Sequence, residues 1–135
     1  MPDTSALKTE ERYVFVYGTL RQGGANDITK LEPAPRWIGR ASVRGDLFHL
    51  GGYPGLVLND EGAWVTGEVY AIEPALERRL DAIEGLLGPQ PSDEYAKRFV
   101  SVQCEGRQML CLVYEINRRY VAKAARIVHG DWMKS

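Results

Sequence analysis

Unbalanced charge, cysteine, histidine and long apolar runs are all scarce in this chain, and each shortage closes off a class of function. The 17 basic and 18 acidic residues leave a net charge of −1, with a sequence pI near 6.1. No field therefore draws the protein to nucleic acid or to an anionic membrane. The apolar runs are too short to cross a bilayer, and Met1 to Leu7 lacks the basic and apolar regions of a signal peptide. A soluble, cytoplasmic protein is the expectation. Two cysteines, Cys104 and Cys111, do not make a disulfide framework. His49 and His129 have no cysteine or carboxylate at metal-ligand spacing. A phosphate loop, a Gly-x-Gly-x-x-Gly turn and a His-Glu-x-x-His pair are missing, and Ser42, Ser92 and Ser101 lack a nucleophile-elbow setting. Neither metal nor dinucleotide chemistry has residues here to carry it.

The 135 residues suit one domain with a real core. Residues 1–12 read as a flexible tail ahead of a domain at 13–135. Tyr13 to Tyr17 is β-branched and aromatic throughout, the pattern of a strand buried on both faces. Trp37 to Leu50 reads as a long strand bent at Gly39 and Gly45, and Leu56–Leu58 and Ala63–Ile72 as two more, with turns at 51–55 and 59–62. Tyr95–Cys104 and Gln108–Ile116 form a hairpin around Gly106, with both cysteines as small core residues. Pro74 to Glu84 is the best helix: Pro74 suits a first turn, and Leu76, Leu80 and Ile83 make one apolar stripe. Glu77, Arg78 and Asp81 point away from that stripe, and Gly85 ends the helix. A helical turn is expected near Ile28 to Leu31, and residues 118–126 have helical propensity without a cap. Short strands, glycine bends and one good helix predict an α+β domain with a small, closed or nearly closed sheet.

Two places have chemical potential. The first strand stops at Gly18, and successive N–H groups bared at such a turn can form an anion-binding concavity; an ordinary strand exit is the alternative. The second is Glu84, beside Ile83 and one turn beyond Leu80. Burial and the helix C-terminus would both raise its pKa from a reference of about 4.3 toward neutrality, as a general acid or base requires. A helix-end glutamate reaching solvent past Gly85 is the alternative there.

Taken together, Tyr17-Gly-Thr-Leu-Arg21, Asn26, Tyr53-Pro54, Gly67-Glu-Val-Tyr70 and Leu80-Asp-Ala-Ile-Glu-Gly85 resemble the γ-glutamylcyclotransferase, or AIG2-like, family. The likeness runs from about Tyr13 to Val102, and Ile127 to Trp132 is similar to the close of small bacterial members. The resemblance implies a small mixed β-barrel flanked by a few helices. Its cavity would have Tyr17, Gly18, Thr19 and Leu20 as floor and substrate-binding turn, Glu84 as catalytic group, and Tyr95 lining the pocket, while Arg98 would be structural. It further implies cleavage of a small-molecule γ-glutamyl amine or peptide to 5-oxoproline and a free amine, with no cofactor or metal. The alternative is a non-catalytic member that binds a small metabolite. Loops 21–36, 51–55 and 86–95 are expected to form the pocket mouth, and a branched side chain at Gly18 to harm activity more than stability. The leaving amine and the oligomeric state are not legible.

Overall fold

The computed structural model describes residues 11–135. The expected tail lies outside the described residues except for Glu11 and Arg12, and Arg12 already opens the first strand opposite Ile72. Seven strands form one sheet: β1 (Arg12–Val16), β2 (Arg36–His49), β3 (Pro54–Leu58), β4 (Ala63–Ile72), β5 (Tyr95–Cys104), β6 (Arg107–Ile116) and β7 (Ala125–Arg126). One α-helix, α1 (Pro74–Ile83), and 3₁₀ turns at Ile28–Lys30, Arg118–Val121 and Trp132–Lys134 complete the described fold.

The barrel runs β2-β4-β1-β6-β5, and β5 returns to β2 through Ala41 opposite Cys104 and Ser42 opposite Gln103. All of these contacts are antiparallel except β1 with β6, which run parallel at Val14 and Leu112. The expected bend in β2 is a bulge between Trp37 and Gly39. Beyond the barrel wall the same strand carries β3 along Gly45–His49 and β7 at Phe48 and His49.

Strand periodicity sorts the core into two layers. Phe15, Ala41, Val43, Val65, Val69, Val102, Cys104, Cys111 and Val113 come from all the barrel strands and fill its interior. Their neighbours Val14, Val16, Tyr70, Ile72, Leu112 and Tyr114 face outward and are covered by Leu76 and Leu80 of α1. Strand β1 is thus buried on both faces, which accounts for its unbroken apolar run. Both cysteines are free and buried, as expected of small core residues.

Three expectations about helices need correction. Ile83, read as the third residue of the apolar stripe, is 40% exposed, because α1 ends there and its last turn overhangs a cavity instead of the sheet. Asp81, read as pointing outward, is buried. Its carboxylate is fully partnered: the Tyr114 hydroxyl donates to Oδ1 (2.6 Å) and Lys97 Nζ to Oδ2 (3.0 Å). A carboxylate survives burial on those terms. The 118–126 stretch is no α-helix either. Asn117 caps one 3₁₀ turn through the Arg119 N–H, after which Ala125 and Arg126 are drawn into edge pairing with β2.

One buried ionic cluster holds the turn after β1. Arg21 is 3% exposed. Its Nε donates to Glu68 Oε2 on β4 (3.0 Å), and its Nη1 donates to Asp131 Oδ1 in the C-terminal segment (2.7 Å). Glu68 Oε1 also accepts the Gln22 N–H (2.9 Å) and the Tyr70 hydroxyl (3.0 Å). Burial alone would raise the Asp131 pKa, but Arg21, together with the Met133 N–H and the charge of Lys134, more than offsets this and holds it below its ordinary value.

Arg21→Met leaves two carboxylates buried without a counter-charge and is expected to cost about 3–5 kcal/mol of folding stability. The exposed ion pair of Arg12 with Glu77 is the control, since Arg12→Met should cost less than about 1 kcal/mol. Urea unfolding followed by tryptophan fluorescence measures both. Equal midpoints for the two variants would show that the cluster does not anchor the fold.

Candidate active site

Beyond the end of α1 the barrel wall opens into a cavity of about 400 Å³. Every residue expected to bind or react reaches it: Tyr17, Gly18, Thr19, Leu20, Glu84 and Tyr95 all line this space. The three loops expected at the mouth contribute as well, through Ala25 and Asn26, through Gly52 to Pro54, and through Ser92 and Glu94.

The floor is the turn that ends β1. Arg21 N–H donates back to Gly18 C=O (3.0 Å), and Asn26 and Ile28 N–H groups donate to the Thr19 and Leu20 carbonyls (both 2.9 Å). Asn26 Nδ2 also donates to Thr19 Oγ1 (3.1 Å). The turn's carbonyls are therefore occupied. Its Gly18, Thr19 and Leu20 N–H groups have no acceptor among the described residues. Buried amides are normally paired, so three consecutive free donors at a cavity floor suit an anionic or carbonyl ligand.

The Tyr17 side chain is a support. Its hydroxyl donates to the Tyr114 carbonyl (2.6 Å) and takes the Leu56 N–H (3.3 Å). Tyr95 is similarly engaged, donating to the Pro54 carbonyl (2.8 Å). Burial, then the charge of nearby Glu84, raises the Tyr17 pKa well above its ordinary value; burial, then Tyr17 and Glu84, does the same for Tyr95. Both rings thus shape the cavity as neutral groups whose hydroxyls are committed to the frame.

Glu84 is the C-cap of α1, and its N–H donates to the Leu80 carbonyl (2.9 Å). Gly85 then turns the chain away at φ +78°, a conformation that suits glycine. The helix itself is fixed by Asp81, so the Glu84 side chain is delivered to the cavity from a rigid base. Its carboxyl is half-buried. Burial, and secondly the charge of Glu94, pushes its pKa up to about 7.

The family model for γ-glutamyl cyclotransferase, AIG2-like, matches residues 14–134. This chain belongs to that family. Among cyclotransferase relatives, the γ-L-glutamyl-butirosin B γ-glutamyl cyclotransferase of Niallia circulans is 40% identical over 77 residues, 56% of this chain and 47% of the relative. The γ-glutamylaminecyclotransferase of Bos taurus is 32% identical over 114 residues, 75% of this chain and 63% of the relative. The matched stretch thus spans less than two thirds of either relative's length. Among solved structures, an AIG2-like protein of Mus musculus superposes with a TM-score of 0.69 at 26% identity, covering 84% of each chain. YkqA of Bacillus subtilis gives 0.72 at 28% identity, covering 92% of this chain and 40% of that one.

The cavity also contains two groups that the sequence did not single out, Glu94 and Tyr114. Glu94 is the second carboxylate lining it, and Tyr114 lines it while holding Asp81. Tyr53 donates its hydroxyl hydrogen to Glu94 Oε2; this hydrogen bond first, then burial, pushes the Tyr53 pKa up to about 12. The position of Glu94 just before Tyr95 was the available signal. Gly18 also has a different reason to be small. A Cβ there would lie 2.5 Å from Pro54 Cγ, so the turn packs directly against the start of β3.

Two stability predictions follow from this geometry. Gly18→Val should lower stability by about 1–3 kcal/mol through overpacking, a larger effect on the fold than the expectation of harm mainly to activity allowed; an unchanged thermal midpoint would rule this out. Glu84 binds its proton more tightly folded than unfolded, so the fold should lose stability as pH rises from about 4.5 to about 7 and lose no more from this group above that. Discounted for contact with water, the loss is about 1 kcal/mol. Glu84→Gln should therefore be more stable than the parent at pH 8 and equal to it at pH 4, as measured by urea midpoints at the two pH values. A gap that does not change with pH would contradict the raised pKa.

Proposed function

We propose that this protein cleaves a γ-glutamyl amine or peptide to 5-oxoproline and a free amine, with Glu84 moving the protons. One observation carries the reading: a half-buried carboxyl with a pKa of about 7 shares a cavity with three consecutive unengaged amides at Gly18, Thr19 and Leu20. A barrel serving only as an interaction module would need a filled cavity and a solvated Glu84. Membership of the family and the cyclotransferase activities for which the relatives are named support the same reaction.

In this mechanism the substrate's α-amine nitrogen bonds to its own γ-carbonyl carbon, and the bond from that carbon to the leaving nitrogen breaks. The nucleophile is built into the substrate, so the protein need only fold the chain to gain a high effective concentration. Two protons leave the α-ammonium on the way to the lactam nitrogen. Two are taken up as the leaving nitrogen departs as an ammonium. Glu84 accepts a proton as carboxylate and returns it as acid, so its charge is restored after each turnover, and a pKa near the working pH serves both halves. The amides of the floor turn receive the substrate α-carboxylate or the oxyanion that develops at the γ-carbonyl.

Purified protein offered a panel of γ-glutamyl amines, dipeptides and glutathione should release 5-oxoproline from at least one member, detected by mass spectrometry. Glu84→Gln should still bind that substrate but lose at least about a hundredfold in kcat, in line with the contribution of a positioned acid–base group. In the parent enzyme kcat/KM should rise with pH through about 7, where Glu84 becomes ionised. A Glu84→Gln variant that keeps most of its turnover would refute the role given to Glu84. Tight binding without release from any compound would favour a metabolite-binding member instead.

A further inference from the structure

The reaction above fixes one half of the substrate and leaves the other free, and the cavity's charge distribution addresses that second half. Of the ionisable side chains lining it, Glu84 and Glu94 are the carboxylates, and neither a lysine nor an arginine is among the lining residues. A leaving group with its own carboxylate would meet like charge there. One with a positive charge would meet a carboxylate with spare capacity.

Glu94 is built for that contact. Its backbone is held at both ends, with its N–H donating to Ser92 Oγ (3.0 Å) and its carbonyl accepting the Asn117 N–H (2.7 Å). Oε2 is oriented by the Tyr53 hydroxyl, while Oε1 takes no hydrogen bond from the described residues. Tyr53 is partly exposed, which sets the pair at the rim, whereas Phe15, Val16 and Leu20 at the floor are buried. The Tyr53 ring adds a face on which an ammonium can rest. Arg119, which pairs with the sequence neighbour of Glu94, is already occupied: it is hydrogen-bonded to Asp93 and lies over the Tyr120 ring at 5.1 Å. Asp93 also accepts the Tyr120 hydroxyl hydrogen, so this neighbouring pair is internally balanced.

We propose that Glu94, oriented by Tyr53, is the specificity-determining residue of the leaving-group half of the site, and that it selects γ-glutamyl amides whose departing amine carries a second, positively charged nitrogen. Diamines and polyamines are the class with that chemistry. The inference rests on the proposed cyclotransferase reaction for its turnover readout but not for its binding readout. Glu84 keeps its own task at the reacting atoms, while Glu94 acts several bonds away on a group that does not react.

The test uses three amides of similar length that differ in terminal charge: γ-glutamyl derivatives of 1,4-diaminobutane, of n-pentylamine and of 4-aminobutanoate. The intact protein should show kcat/KM about tenfold higher for the diamine than for the neutral amine, with the carboxylate lowest. Glu94→Gln should bring the diamine-to-pentylamine ratio to about one. Because this is a ratio, any general effect of the substitution on Glu84 cancels. Calorimetric binding of the same compounds to Glu84→Gln gives a second, independent ranking. If no compound is turned over but the diamine still binds most tightly, the proposed reaction fails and the cation subsite stands. A flat or reversed ranking in binding, or a diamine preference that survives Glu94→Gln, overturns the inference.

Discussion

The Arg21 guanidinium is the constraint on which the rest of the molecule depends. A buried charge needs partners, and those of Arg21 come from distant parts of the chain: Glu68 on β4 and Asp131 near the C-terminus. The turn after β1 cannot settle until the barrel has paired β1 with β4 and the last segment has crossed over to close the cluster. Once it has settled, the Gly18–Leu20 amides are held in place at the cavity floor. An oxyanion or carboxylate site needs that rigidity, since a donor that must be reorganised during the reaction stabilises less than one already in place.

A second clamp does the same for the opposite wall. Asp81, gripped by Tyr114 and Lys97, fixes the face of α1 just before its end, so the helix delivers Glu84 from an anchored turn. The two groups have opposite environments three residues apart. Asp81 is buried but fully partnered, whereas Glu84 is half-buried and its pKa rises through burial and the charge of Glu94. The first arrangement favours structure. The second stores a modest penalty at neutral pH in a carboxyl poised to exchange protons, the trade commonly made at reactive sites.

The cavity also divides its labour by depth. Its floor offers hydrogen-bond donors and its wall one carboxyl of raised pKa, both suited to the glutamyl end of the proposed substrate. Its rim consists of loop residues, Tyr53 and Glu94 among them, whose chemistry can vary without disturbing the barrel. The fold is shared across the family, so under the proposed reaction selectivity between leaving groups would fall to this outer ring.

Much of this architecture was legible from the chain alone. Strand β4 and the hairpin of β5 and β6 follow from alternation and turn residues, and the end of α1 follows from Gly85, because each signal acts within a few residues of itself. The position of Glu84 at the end of an amphipathic helix was legible too, being a local fact, but its place in the cavity was not, because a solvated helix-end carboxylate fits the same pattern. What tertiary structure alone decided are the pairings across sequence. Arg21 lies 47 residues from Glu68 and 110 from Asp131, and Lys97 lies 16 from Asp81. Such partnerships depend on strand register and barrel closure, which no local pattern encodes. The same holds for residues 118–126, whose helical propensity gave way to edge pairing with β2, and for Glu94, whose place in the cavity depends on how the loop after α1 folds back. Propensity acts along the chain, whereas burial and charge act through space, and only the folded barrel sets which charges meet.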